Sequence, residues 1–218
     1  MIHQESKEPP ERLMRIVLDL LTVLKYLHND CRFIHRDLNP SNVMLTFDFK
    51  VKLADFGLSM ALSDRDDMNS PDSGKGPGRD RGFEGTLAYS SPETIEMRET
   101  NEKADIWAFG CILYELITMR PAFSNPNPLV LAKMISAGEF EPIFSAGKNP
   151  QGSSASNQQA LSRAWSSIGL GGKILDKLAR MATRCLNVDH TQRPSALELL
   201  ADLLPELVDY TAFLKLRN

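Results

Sequence analysis

Three polar side chains lie close together early in the chain: Asp37, then Asn42 five residues on, then Asp55 thirteen beyond that. Their types suit the transfer of a phosphoryl group from a nucleotide. Such transfer needs little covalent help but much positioning and charge neutralisation. A carboxylate must orient the attacking hydroxyl and take its proton, while hard oxygen ligands hold magnesium on the phosphates. Asp37, in a loop ordered around Pro40, suits the first task. Asn42, with an amide oxygen, and Asp55, a carboxylate beside the flexible Gly57, suit the second. A carboxylate plus an amide makes a partial shell for Mg²⁺, which keeps water and phosphate oxygens as its other ligands.

Elements of several kinds must hold these residues. Over residues 10–28, Leu13, Val17, Leu20, Leu24 and Leu27 step by four, three, four and three, which predicts one amphipathic helix opening at Pro9 and Pro10. Residues 33–45 lose that period and read as a loop with short strands, and Val43-Met44-Leu45 and Val51-Lys52-Leu53 read as brief strands around a polar turn. Residues 63–82 are polar and charged, cannot bury much surface, and read as mobile. Residues 103–119 predict a helix apolar around most of its circumference, and so central to a core. Further helices are expected over 128–137, over 173–186, and from Ser195, where Glu198 completes a capping box. Between them, residues 145–172 are rich in Ser, Gly, Asn and Gln and read as a polar insert. The expected fold class is mainly α: a helical bundle around a central buried helix with a few short β-strands and no β-rich N-terminal region.

Composition narrows the function classes. The chain has 218 residues, 42% hydrophobic and 24% charged, which is enough apolar material for a substantial core. A net charge of −3 gives no sign of nucleic acid or an anionic membrane as partner. No uncharged apolar run approaches the roughly 20 residues of a membrane helix, and the start lacks the pattern of a signal peptide. A cytoplasmic or nuclear location is expected. Cys31, Cys111 and Cys185 are too scattered for a zinc site or disulfide framework, and Cys111 in its apolar run reads as a buried thiol. His28 and His190 read as surface histidines rather than ligands.

The chemistry-bearing residues sit in longer patterns. His35-Arg36-Asp37-Leu38-Asn39-Pro40-Ser41-Asn42 is followed by Asp55-Phe56-Gly57. Next come Gly85-Thr86-Leu87-Ala88-Tyr89-Ser90-Ser91-Pro92-Glu93, then Asp105-Ile106-Trp107, and finally Arg193-Pro194. Seven identities at fixed offsets among the first two patches would coincide by chance on the order of once in a billion windows. With these motifs in this order, the sequence resembles the eukaryotic protein kinase family over roughly residues 10–205. Within that family it is most similar to a divergent NIMA-related serine/threonine kinase, on residues 102–108, 110–115 and 139–143.

The resemblance implies the lower, catalytic lobe of a kinase over residues 10–208. The activation segment would span 55–93, with residues 1–9 as an extension and 209–218 as a tail. It implies ATP and Mg²⁺ as cofactors and a protein substrate phosphorylated on Ser or Thr, a preference tied to Thr86. Asp37 would be the catalytic base, Asn42 and Asp55 the metal ligands, and Met44 would lie under the adenine. His35 and Phe56 would stack in the spine between lobes, and Thr86 would close onto Asp37. Arg36 would read a phosphate placed on the activation segment by an upstream kinase, with Ser70, Ser73 and Thr86 as candidate sites and an incidental mobile linker as the alternative. Glu93 and Arg193 would form a buried pair, and Asp105 would brace the catalytic loop.

Two departures stand out. Asn39 occupies the position where serine/threonine members carry a lysine on the γ-phosphate; its amide can hydrogen-bond the phosphate or hydroxyl but brings no charge. No Gly-x-Gly-x-x-Gly or strand lysine precedes Asp37, so the β-rich N-terminal lobe is expected to be missing and the isolated chain to be weak or inactive. The alternative function is a pseudokinase or regulatory protein-binding module with the same fold. Nothing in the sequence sets the oligomeric state.

Overall fold

In the computed structural model, residues 10–62, 86–98, 100–143 and 172–215 are described. The expected polar insert lies outside them except for Gly172, and so do residues 63–82 with Ser70 and Ser73. Helix α1 spans Pro10–Lys25, with the stripe of Leu13, Val17, Leu20 and Leu24 buried as the periodicity requires. The chain then widens into a π turn over Tyr26–Cys31, closed by Arg32 in the left-handed region at φ 57°. This turn corrects two expectations. Regular α-helix ends before His28, and His28 is 5% exposed, not on the surface.

Strand β1 (Phe33–Ile34) pairs antiparallel with β4 (Met60–Ala61). Strand β2 (Val43–Leu45) pairs antiparallel with β3 (Val51–Leu53), Val43 facing Leu53 and Leu45 facing Val51. The Val51 N–H donates to the Asp19 carboxylate at 3.2 Å, tying this hairpin to α1. These two small sheets hold all the strands among the described residues.

The short helix α2 (Pro92–Ile95) leads into α3 (Lys103–Thr118), which is buried without a break from Ala104 to Tyr114. Burial on every side is what the all-round apolar sequence demands. Trp107 stacks on Phe123 with centroids 5.5 Å apart, and Cys111 is buried, as the apolar run around it suggested. Helix α4 covers Pro128–Ala137, capped by the Asn127 side chain on the Leu129 N–H, and ends at Gly138 with φ 66°.

Helix α5 (Gly172–Cys185) packs along α3. The contact is close because position 110 has no side chain. A Cβ there would stand 2.6 Å from the Cys185 Cβ and 3.2 Å from Leu186. Helix α6 (Ala196–Lys215) packs on α1 and starts with the expected capping box: the Ser195 N–H donates to Glu198 Oε2 at 2.7 Å, and the Glu198 N–H to Ser195 Oγ at 3.2 Å. It runs on through Pro205 to Lys215, so the backbone of most of the expected tail is helical. One missing hydrogen bond at Pro205 does not end it. No helix of the described residues is long and apolar enough to cross a membrane.

Because the Cys185 Cβ cannot swing away, Gly110→Ala forces α3 and α5 apart. That strain exceeds the roughly 1 kcal/mol that alanine adds in helix propensity. We expect a net destabilisation of roughly 1–2 kcal/mol in urea denaturation; an unchanged or raised midpoint would contradict the packing described.

Candidate active site

The loop that carries Asp37 is held by one buried carboxylate. Asp105, in the first turn of α3 and 1% exposed, accepts hydrogen bonds from the His35 N–H at 2.8 Å and the Arg36 N–H at 2.9 Å. Its Oδ2 also meets His28 Nε2 at 2.8 Å. A buried carboxylate is stable only with such donors around it. Arg36 takes φ 70°, an uncommon conformation for a side-chain-bearing residue, and its side chain is exposed. His28 is the site residue that sequence reasoning missed. A signal existed: it falls four residues after buried Leu24 and seven after buried Leu21, on the inward face.

Asp37 follows directly and is caged by donors. Its Oδ1 accepts from Asn39 Nδ2 at 3.1 Å and from the Thr86 N–H at 3.2 Å; its Oδ2 accepts from Asn42 Nδ2 at 3.1 Å. Both amides also donate to the Asp37 carbonyl, Asn39 at 3.1 Å and Asn42 at 2.8 Å. Thr86 therefore meets Asp37 through its backbone N–H. Asn39 is 4% exposed, and its Oδ1 accepts from the Ser41 N–H at 2.9 Å, capping the 3-10 turn Pro40–Asn42. Both ends of its amide are thus engaged inside the loop, with Asp37 on one side and the Ser41 N–H on the other. Beside Asp37 opens a cleft of about 10 Å³ lined by Arg36, Thr86, Tyr89, Ser90 and Asp105, the space of one water or hydroxyl.

Asn42 gives its amide N–H to Asp37, its Oδ1 has no hydrogen-bond donor among the described residues, and its backbone carbonyl accepts from the Ala54 N–H at 2.9 Å. That bond draws the Asp55 segment against the catalytic loop. Asp55 is exposed, sits at φ 59°, and accepts at Oδ1 from the Gly57 N–H at 3.2 Å. A Cβ on Gly57 would come within 3.1 Å of that same oxygen, so the turn leaves little room for a side chain. One amide oxygen without a donor among the described residues and one exposed carboxylate on adjoining segments fit a hard cation that takes its other ligands from water and phosphate. Among the described residues, no group of three or more His, Cys, Asp or Glu side chains offers a rival metal centre.

His35 packs edge-on against Phe56 with centroids 4.9 Å apart, and its Nε2 lies 3.0 Å from the Ala54 carbonyl. The Nε2–H tautomer follows from that contact; Nδ1 is buried and has no partner among the described residues. Met44 is 55% exposed on β2, two residues beyond Asn42.

The segment after Thr86 is pinned to α3 and to the loop before α6. The Tyr89 hydroxyl donates to Glu115 at 2.6 Å, and burial first, then this carboxylate, push the phenol well above its ordinary range. The Arg193 guanidinium uses all five of its N–H donors. Two bind the Glu93 carboxylate at 2.6 and 2.8 Å, and three bind the carbonyls of Asn187, Lys103 and Val188. It also lies 4.9 Å over the Trp107 ring. Burial pushes the Glu93 carboxyl up, but the hydrogen bonds and charge of Arg193 outweigh it and hold the group below its ordinary value.

A mainly helical body carrying a braced carboxylate, an amide–carboxylate pair and a buried Glu–Arg anchor is an arrangement suited to phosphoryl transfer. The chain matches the protein kinase domain family over residues 1–204, and it belongs to that family. It is 32% identical over 202 residues to the human serine/threonine-protein kinase Nek10, which covers 91% of this chain and 14% of the relative. It is 30% identical over 200 residues to the *Caenorhabditis elegans* serine/threonine-protein kinase D1044.8, covering 92% of this chain and 16% of the relative. A probable serine/threonine-protein kinase nek2 of *Dictyostelium discoideum* is 29% identical over 192 residues, 87% of this chain and 37% of that protein. The chain therefore spans about a seventh of the length of the Nek10 relative.

The Glu93–Arg193 pair has a pH signature. With its carboxyl held low in the folded state, Glu93 contributes stability that is fully present above its unfolded value of about 4.3 and is lost as pH falls through the lower folded value. Arg193→Ala, which strands a buried carboxylate, should cost about 3–5 kcal/mol at neutral pH. Glu93→Gln should flatten the acid limb of a stability–pH curve measured by urea denaturation. An unaltered acid limb in that variant would remove Glu93 as its source.

Proposed function

We propose that this chain is the catalytic lower lobe of a serine/threonine protein kinase that uses ATP and Mg²⁺. The observation that carries the reading is the direct contact of Asp37 with Asn42, with the Asp55 segment hydrogen-bonded alongside. In this reading Asp37 receives the proton of a substrate serine or threonine hydroxyl lodged beside Thr86. The hydroxyl oxygen bonds the γ-phosphorus as ADP leaves with the electron pair. Asn42 Oδ1 and the Asp55 carboxylate would hold Mg²⁺, which would supply charge neutralisation at the phosphates. Arg36 is the cation for a phosphate on the activation segment.

The nucleotide needs a second wall. Met44, Leu45, Phe47 and Phe56 are all 46% exposed or more, along β2, its turn and the Asp55 segment. This apolar surface supports the view that an upper lobe completes the site. A second reading, a kinase-fold module without transfer activity, is favoured by one feature: the inward-turned amide of Asn39 leaves no cation at that position.

In the intact protein, Asp37→Ala should reduce peptide phosphorylation by about 10²–10⁴-fold while circular dichroism and the melting temperature hold. Full activity in that variant would discard Asp37 as the base, and no transfer by the wild-type protein would favour the second reading. For this chain alone, millimolar Mg·ATP should raise the melting temperature by no more than about 1–2 °C. A much larger shift would show that the lower lobe suffices for binding.

A further inference from the structure

We propose that Asn39 is a positioning residue for Asp37: its amide clamps one carboxylate oxygen, Oδ1, and so fixes the rotation of the group. This rests on the reading of Asp37 as the proton acceptor. An ionised carboxylate offers about four lone-pair sites, two on each oxygen. Among the described residues, Asp37 Oδ1 takes two donors, Asn39 Nδ2 and the Thr86 N–H, whereas Oδ2 takes one, Asn42 Nδ2. With Oδ1 held by two donors, the carboxylate cannot rotate freely, and Oδ2 is the less encumbered oxygen among the described residues.

Asn39 can fill this role because its amide has opposite functions at its two ends. The Nδ2 group spans the Asp37 carbonyl and carboxylate, and Oδ1 caps the turn that carries Asn42. A lysine could not cap the turn, since it has no acceptor, and its donors sit at the end of a long flexible stem rather than on a short fixed amide. At 4% exposure the amide is held by packing as well as by hydrogen bonds. The residue that breaks the family's charge pattern thus has a part of its own: it immobilises the carboxylate where a lysine would have contacted phosphate.

Serine at this position separates the two functions. Its hydroxyl can still accept from the Ser41 N–H but cannot bridge to Asp37. In the intact protein, Asn39→Ser should stay folded with a melting temperature lowered by only a few degrees, keep KM for ATP and peptide within about two-fold, and lower kcat roughly 10- to 100-fold. Asn39→Ala should lose kcat similarly and melt lower. A wild-type kcat in Asn39→Ser, or a raised KM for ATP with kcat retained, would overturn the proposal; the latter would mean that the amide serves the phosphate. A readout independent of activity is the side-chain amide of Asn39 in NMR spectra of the isotopically labelled protein. Its protons should exchange slowly, and Asp37→Ala should speed that exchange. No change there would overturn the clamp even if the variants fail to fold. If the wild-type protein transfers no phosphate while the amide responds as expected, the kinase reading fails and the clamp stands.

Discussion

The carboxylate of Asp105 is the constraint on which the site depends. It sits in the first turn of a helix that is otherwise buried in apolar contacts, where an unpartnered charge would cost several kcal/mol. The helix N-terminus favours a negative charge there, and three N–H groups complete its coordination: two from the catalytic-loop backbone and one from His28. Since the charge cannot be left bare, the loop cannot drift. The backbone at His35 and Arg36 is fixed to the core, and Asp37 is delivered one residue later with its direction set.

The same helix anchors the other wall of the cleft. Glu115, ten residues along α3, holds Tyr89, and Trp107 lies under the Arg193 guanidinium that grips Glu93. Segment 86–95 and the catalytic loop therefore share one rigid support. Thr86 can donate its N–H to Asp37 only because both are referred to α3. Precise placement of this kind is what phosphoryl transfer asks of a protein, since most of the catalysis lies in geometry and electrostatics.

Around Asp37 the polar atoms are arranged with almost no slack. Asn39 and Asn42 each donate to both its carbonyl and its carboxylate. Their acceptor ends differ: Asn39 Oδ1 caps a turn, and Asn42 Oδ1 has no donor among the described residues. The two asparagines thus have unlike surroundings although they are three residues apart and chemically identical. Local hydrogen bonding, and not residue type, separates a positioning amide from a candidate metal ligand.

Much of the frame was legible from residue order. The stripe at Leu13, Val17, Leu20 and Leu24, the all-round apolar run of α3, the Ser195–Glu198 cap and the strand pair at Val43 and Val51 are local patterns set by side-chain period and capping chemistry, so the sequence alone determines them. The motif residues and their family are likewise a matter of identity and spacing. What only the tertiary structure decided depends on contacts across long separations. His28 is buried because Asp105, 77 residues on, needs a third donor. Asn39 faces Asp37 because Ser41 and Thr86 fill the other places around it. Gly110 is required because Cys185 crosses there. No periodicity encodes such meetings; they arise when helices pack and every buried polar group must find a partner.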